Sequence, residues 1–274
     1  MSGKFLKKLY LECRIGKYGR LNIILILHVL CPLFLFLLLT ACATTPNKED
    51  TITAEAHFKL GVSYISKGEL TEASIEFQKA LNLNPKHKES LHALGFINTR
   101  FGKYDEAISY YKQAISIDPK YSEAMNSLGV AYMETEKLDE ALKYFNMALD
   151  NPFYSTPEKP YSNIGLVYYR KGDYRGAEDA VKKATIRNPN FPVAMYIQGL
   201  LYLQEGDDEA AMKKFTKALT IEPAYLEARL ELAKAYVRSG EQDKALEHFK
   251  IIAEKAENTA IGKEALEYIK LLEK

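Results

Sequence analysis

Tryptophan is absent from the 274-residue chain, cysteine occurs three times, and no charge dominates, with 37 Lys+Arg against 36 Asp+Glu. Each scarcity excludes something. The balance of charge is uneven along the chain: residues 1–41 carry six basic residues (Lys4, Lys7, Lys8, Arg14, Lys17, Arg20) and one acid, Glu12. The remaining 31 basic and 35 acidic residues give a formal net charge of −4. A mildly acidic body lacks the dense basic face that nucleic-acid binding needs. Two of the cysteines, Cys13 and Cys31, precede residue 42, so a chain beginning at Cys42 has no internal disulfide and no cysteine metal site. Such a chain is held by apolar packing.

Catalytic signatures are equally sparse. The histidines (His28, His57, His87, His92, His248) show no metal-ligand spacing on one helix face, and His87 and His92 straddle a hairpin boundary. No phosphate-cradling glycine loop is present, because the glycines read as one packing residue per repeat. Acids are scattered as solvated helical charge pairs. The expectation is a binding protein with no enzymatic activity, no metal and no cofactor beyond a covalent lipid.

What the chain does contain begins with a basic segment, residues 1–20, followed by an apolar run from Leu21 to Ala41. As a helix that run would rise about 31 Å, enough to span a bilayer, so length alone does not separate a retained membrane anchor from a cleaved signal peptide. Its end does. Leu39-Thr40-Ala41-Cys42 has the lipobox pattern of bacterial lipoprotein signal peptides, with small residues where the peptidase needs an open site and a thiol at the position to be acylated. The expected layout is a signal peptide at 1–41, a lipidated Cys42 and a flexible tether over 42–53. Ala43 is not Asp, which by resemblance to enterobacterial lipoproteins permits sorting to the outer membrane, on its periplasmic face. The competing layout is an uncleaved inner-membrane signal anchor.

The rest of the chain repeats. Gly61, Gly95, Gly129, Gly165 and Gly199 stand 34, 34, 36 and 34 residues apart, and alanines recur in step at Ala73, Ala107, Ala141, Ala177, Ala211 and Ala245. Pro85, Pro119, Pro189 and Pro223 follow the same period with a gap at the third repeat, whose end (Asn151–Pro160) is two residues longer than its siblings. Small residues let paired helices approach, aromatics such as Phe77, Tyr111, Phe145 and Phe215 fill the space beside them, and proline ends the second helix. This pattern resembles the tetratricopeptide (TPR) repeat and implies an all-α superhelix. The units are 54–87, 88–121, 122–157, 158–191, 192–225 and 226–259, with a capping helix at 260–273. Departures fall at Asn98, Val181, Gln198, Ala233 and Ile252.

In TPR proteins a groove is lined by the first helix of each hairpin. Carried onto this chain, that pattern implies Phe58, Val62, His92, Phe96, Asn126 and Met133 in the first three repeats. Tyr169, Tyr196, Leu200 and Leu203 follow in the second half, beside Ile65, Arg100, Val130, Leu166, Arg170, Lys234 and Arg238. Such a lining suits an amphipathic helix or an extended apolar segment, although any one of these residues could serve only to pack adjacent hairpins. Phe58 and Val62 occupy positions where TPR clamps for chaperone C-termini carry Lys and Asn, so that role is unsupported.

A lipobox followed by six such repeats resembles the pilotin family of type IV pilus biogenesis lipoproteins. The segment Phe153–Tyr169, with Pro157-Glu158-Lys159 followed by Asn163-Ile164-Gly165-Leu166-Val167-Tyr168-Tyr169, is similar to that family's mid-array stretch, and the resemblance spans residues 39–260. It implies a secretin subunit as partner and assistance to secretin localisation and assembly. Two other scaffolding roles fit the same features: one for cell-wall enzymes, one in the outer-membrane protein insertion machinery.

Overall fold

The computed structural model describes residues 47–273. Within them thirteen helices follow one another without a strand: α1 (Lys48–Ser66), α2 (Leu70–Leu83), α3 (Lys88–Arg100), α4 (Tyr104–Ile117), α5 (Ser122–Glu134), α6 (Leu138–Leu149), α7 (Glu158–Arg170), α8 (Tyr174–Arg187), α9 (Pro192–Glu205), α10 (Asp208–Ile221), α11 (Leu226–Arg238), α12 (Gln242–Ala256) and α13 (Ala260–Leu272). From the second hairpin on, each odd-numbered helix packs on the even-numbered helix that follows it and on its predecessor. The helix starts at 88, 122, 158, 192, 226 and 260 coincide with the repeat boundaries expected from spacing. The beginning of the array differs from expectation. Residues 48–53 belong to α1 and not to a tether, because Asn47 caps the helix by accepting from the Asp50 amide at 2.7 Å. The signal peptide, the lipobox Leu39, Thr40 and Ala41, and Cys42 lie outside the described residues.

The interlock inside each hairpin explains the glycine–aromatic pairing. A Cβ placed on Gly129 would sit 2.5 Å from the Phe145 ring, and Gly95 and Gly199 stand in the same relation to Tyr111 and Phe215. Phe77, Phe145 and Phe215 are fully buried in consequence. The fourth hairpin substitutes Val181 for the aromatic, and its Cγ2 still comes within 2.8 Å of a Cβ on Gly165.

A second glycine series, missed by reading one glycine per repeat, closes the hairpins. Gly68, Gly102, Gly172, Gly206 and Gly240 all have φ between 71° and 80°. Around Gly68 the Glu69 amide donates back to the Tyr64 carbonyl at 3.0 Å, the long bond of a Schellman motif. The third hairpin makes the same turn with Glu136 at φ 56°, the one non-glycine with positive φ among the described residues.

The connections between hairpins use a different device. Asn84, Asp118 and Asn188 each accept, through the side chain, the backbone N–H two residues on, across an intervening proline. The apparent gap in the proline series is the same turn arriving early: the Phe153 amide donates to Asn151 Oδ1 at 3.0 Å across Pro152. Pro152 follows Pro119 by 33 residues, and Ser155-Thr156-Pro157 are then inserted before α7. The turn buries Tyr154 and leaves Phe153 91 % exposed. At the far end α13 covers the last hairpin, with Tyr268 stacked on Phe249 at 4.7 Å and Ala265 fully buried.

Candidate protein-binding groove

In three hairpins the fifth residue sits between two other side chains, one on the partner helix and one in the following turn. Phe58 lies 5.6 Å from Phe77 and 5.2 Å from His87. His92 lies 5.6 Å from Tyr111 and 5.4 Å from Tyr121, and Tyr196 lies 6.0 Å from Phe215 and 5.3 Å from Tyr225. These three residues, expected to line the groove, are wedges that fasten each hairpin to the next turn. Burial pushes the His92 imidazole down to about 4, so it is neutral at physiological pH, and its Nε2 pairs with Ser127 Oγ at 2.9 Å. The Tyr111 phenol is pushed up to about 12 by the same desolvation.

In the middle of the array the wedge shrinks. Asn126 accepts from Asn163 Nδ2 at 3.1 Å, and Ser162 is fully buried with no partner for its hydroxyl among the described residues. The two central hairpins are joined instead by Arg170, whose Nη1 donates to the Met133 carbonyl at 3.2 Å and lies 3.4 Å from Glu136 Oε1.

The ninth residue of each of the first five hairpins forms the floor. Val62 and Phe96 are 45 % and 40 % exposed; Val130 and Leu166 are half-buried; Leu200 is 7 % exposed. Leu200 is therefore a core residue rather than a lining residue. The same correction applies to Met133, 4 % exposed beneath the Arg170 bridge. Leu203 and Tyr169 are half-buried against the cluster that holds Leu200 and Phe215, and the Tyr169 hydroxyl accepts from Gln204 at 3.1 Å. From the fifth hairpin the groove is thus filled by its own side chains, while the floor is exposed in the first two hairpins and half-buried in the third and fourth.

Spacing alone also left out a charged edge. Glu55, Glu89 and Glu123 hold the second position of the first three hairpins, where the later ones carry Lys159, Val193 and Glu227. Glu123 forms no ion pair among the described residues, while Glu55 meets Lys59 at 3.4 Å and Glu89 meets Lys88 at 3.8 Å. Lys88 is engaged more closely by Asp118, at 2.5 Å, over the face of Tyr121. The 34-residue recurrence of these glutamates was the signal available.

Elsewhere, a cleft between α8 and α9 lined by Tyr174, Glu178, Gln198 and Tyr202 accounts for the departure at Gln198, whose Oε1 accepts from Lys214 at 2.8 Å. Among the described residues no group of three His, Cys, Asp or Glu could hold a metal, and no helix is long and apolar enough to cross a membrane.

Family models described as tetratricopeptide repeat match residues 52–120, 99–151, 163–225 and 202–266. The chain belongs to the tetratricopeptide repeat family. TPR proteins mediate protein–protein interaction, and this one is accordingly an interaction scaffold. A comparison with curated proteins finds no match. Among solved structures, this TPR array is similar to PilW, a type IV pilus biogenesis factor, at 22 % identity and TM-score 0.63, over 78 % of this chain and 98 % of that one. It is similar to Pseudomonas aeruginosa PilF at 18 % identity and TM-score 0.61, over 79 % and 98 % of the two chains. A thermophilic TPR protein of Thermus thermophilus aligns at 26 % identity and TM-score 0.58, over 67 % and 99 %.

Proposed function

We propose that this TPR protein is a lipoprotein that helps a secretin, the pilus exit channel, to reach and assemble in the outer membrane during type IV pilus biogenesis. In this reading Cys42 carries the acyl anchor on the periplasmic face, and the open groove near the start of the array holds a segment of a secretin subunit. The observation that carries it is the agreement of the whole array with PilW and PilF, each matched over 98 % of its length. The lipobox Leu39-Thr40-Ala41-Cys42 adds the anchor that such a role needs. An amphipathic segment laid on exposed Val62 and Phe96 would bury apolar surface that the folded array leaves in water.

Two substitutions separate anchor from groove. Cys42→Ser should leave the array folded but displace it from the outer membrane, and secretin multimers in outer-membrane fractions should fall several-fold. Phe96→Glu should retain localisation and lose secretin co-purification. Normal secretin multimers in the Cys42→Ser strain would end the delivery role; undiminished co-purification with Phe96→Glu would end the groove assignment.

A further inference from the structure

The acidic edge runs over the hairpins where the floor is most open, and this overlap names the chemistry of the occupant. We propose that the groove selects an amphipathic segment with a row of basic residues along one flank of its apolar face. The inference rests on the groove reading above and adds the charge of the partner.

The floor alongside that edge consists of exposed Val62 and Phe96 and half-buried Val130, all at the ninth position of their hairpins. The edge consists of Glu55, Glu89 and Glu123, all at the second position. Because both rows follow the repeat, each apolar anchor has one carboxylate in the same register beside it. Helices packed side by side lie about 8–10 Å apart, so a segment crossing them meets a new anchor and a new carboxylate at that interval. A helix rising 1.5 Å per residue supplies that period with one apolar and one basic position about every seven residues.

The two rows end within one hairpin of each other. In the fourth hairpin the edge position becomes Lys159, and from the fifth the floor is closed by buried Leu200. His87 lies 3.3 Å from Glu55 and 3.7 Å from Glu89, yet both carboxylates keep a solvent-facing side, and Glu123 has no ion-pair partner among the described residues. The Glu55 and Glu89 side chains stay 46 % and 42 % exposed, and the lysine nearest Glu89 is held by Asp118. On the opposite edge the matching thirteenth positions are Ser66, Arg100 and Glu134, with no such run of one sign. An approaching basic flank would meet three carboxylates along one edge, which fixes the direction as well as the sign of the preferred segment.

The test uses the full-length protein in detergent and two fluorescein-labelled synthetic helices. They share a leucine spine, one bearing lysines along a single flank and the other glutamates there. By anisotropy at low salt the lysine peptide should bind at least tenfold more tightly, with the ratio shrinking as salt rises. Glu89→Gln with Glu123→Gln should erase the preference, and Glu89→Lys with Glu123→Lys should reverse it. Phe96→Glu should abolish binding of both peptides. Equal affinity for the two peptides, or preference for the glutamate peptide, overturns the charge assignment; if Phe96→Glu still abolishes binding, the groove itself stands. Failure of both peptides to bind, or binding indifferent to Phe96→Glu, overturns the groove together with its charge.

Discussion

His92 in α3 and Tyr196 in α9 hold the same place in their hairpins, each wedged between an aromatic of the partner helix and an aromatic of the next turn. The residues four positions on differ: Phe96 is 40 % exposed and Leu200 is 7 % exposed. One repeat register thus builds an open surface near the beginning of the array and a filled one further along. The filling comes from Tyr169, Tyr196 and Leu203, which share one cluster with Leu200. An apolar residue at a groove position is therefore not evidence of a binding surface, because neighbouring hairpins can use it first.

The largest expected effect tests that contrast directly. Tyr196→Ala removes a wedge from the closed half and should cost about 3 kcal/mol in chemical denaturation. Phe96→Ala removes a side chain from the open half and should cost under about 0.5 kcal/mol. Equal losses for the two would mean that Phe96 is a packing residue and that the open half is not open.

The sequence made the fold legible because its strongest signals are steric. Gly129 must be small because Phe145 occupies the space beside it, and such a pair recurs visibly every 34 residues. The turns were less legible. A Cβ on Gly68 or its counterparts would meet nothing within 4 Å, so these glycines reveal themselves only through positive φ, which a spacing argument does not see. The groove was half legible. Position in the repeat placed Val62, Phe96, Met133 and Leu200 on first helices, but burial depends on what the next hairpin contributes. Met133 is buried in a cluster with Ile164 and Val167 of the next hairpin, and no local pattern carries that information. The edge glutamates looked like ordinary solvated charges until the floor beside them was known.

Acid should distinguish the two halves by a smaller amount. Burial lowers the His92 pKa from the ordinary 6.5 to about 4, so the proton binds the unfolded chain more readily than the folded one. Its stabilising contribution is complete above pH 6.5 and is lost as pH falls toward 4, amounting to about 2 kcal/mol by pH 5. Tyr196 has no such proton to gain, because burial shifts its phenol upward. Amide exchange followed by fragment mass spectrometry at pH 7 and pH 5 should show α3 and α4 losing protection before α9 and α10. In His92→Phe that difference should vanish; if it persists, the acid-sensitive group lies elsewhere.

The smallest effect concerns the joint between the halves. Glu136 adopts a left-handed conformation that five glycines adopt in the sibling turns, at a cost of about 1–2 kcal/mol for a residue with a Cβ. Against that cost Glu136 offers Arg170 a carboxylate at 3.4 Å, but the pair is exposed on the glutamate side and contributes under about 1 kcal/mol. Arg170 keeps its bond to the Met133 carbonyl and its approach to Glu134 at 3.9 Å without it. Glu136→Gly should therefore stabilise the array by about 0.5–1 kcal/mol, since part of the relief is offset by the freedom glycine gives the unfolded chain. A denaturation midpoint that instead falls would show that the Glu136–Arg170 contact, rather than turn geometry, sets the stability of the third hairpin. In that case the central joint would be an electrostatic clasp, and the same midpoint should drop further with added salt in the native protein than in Glu136→Gly.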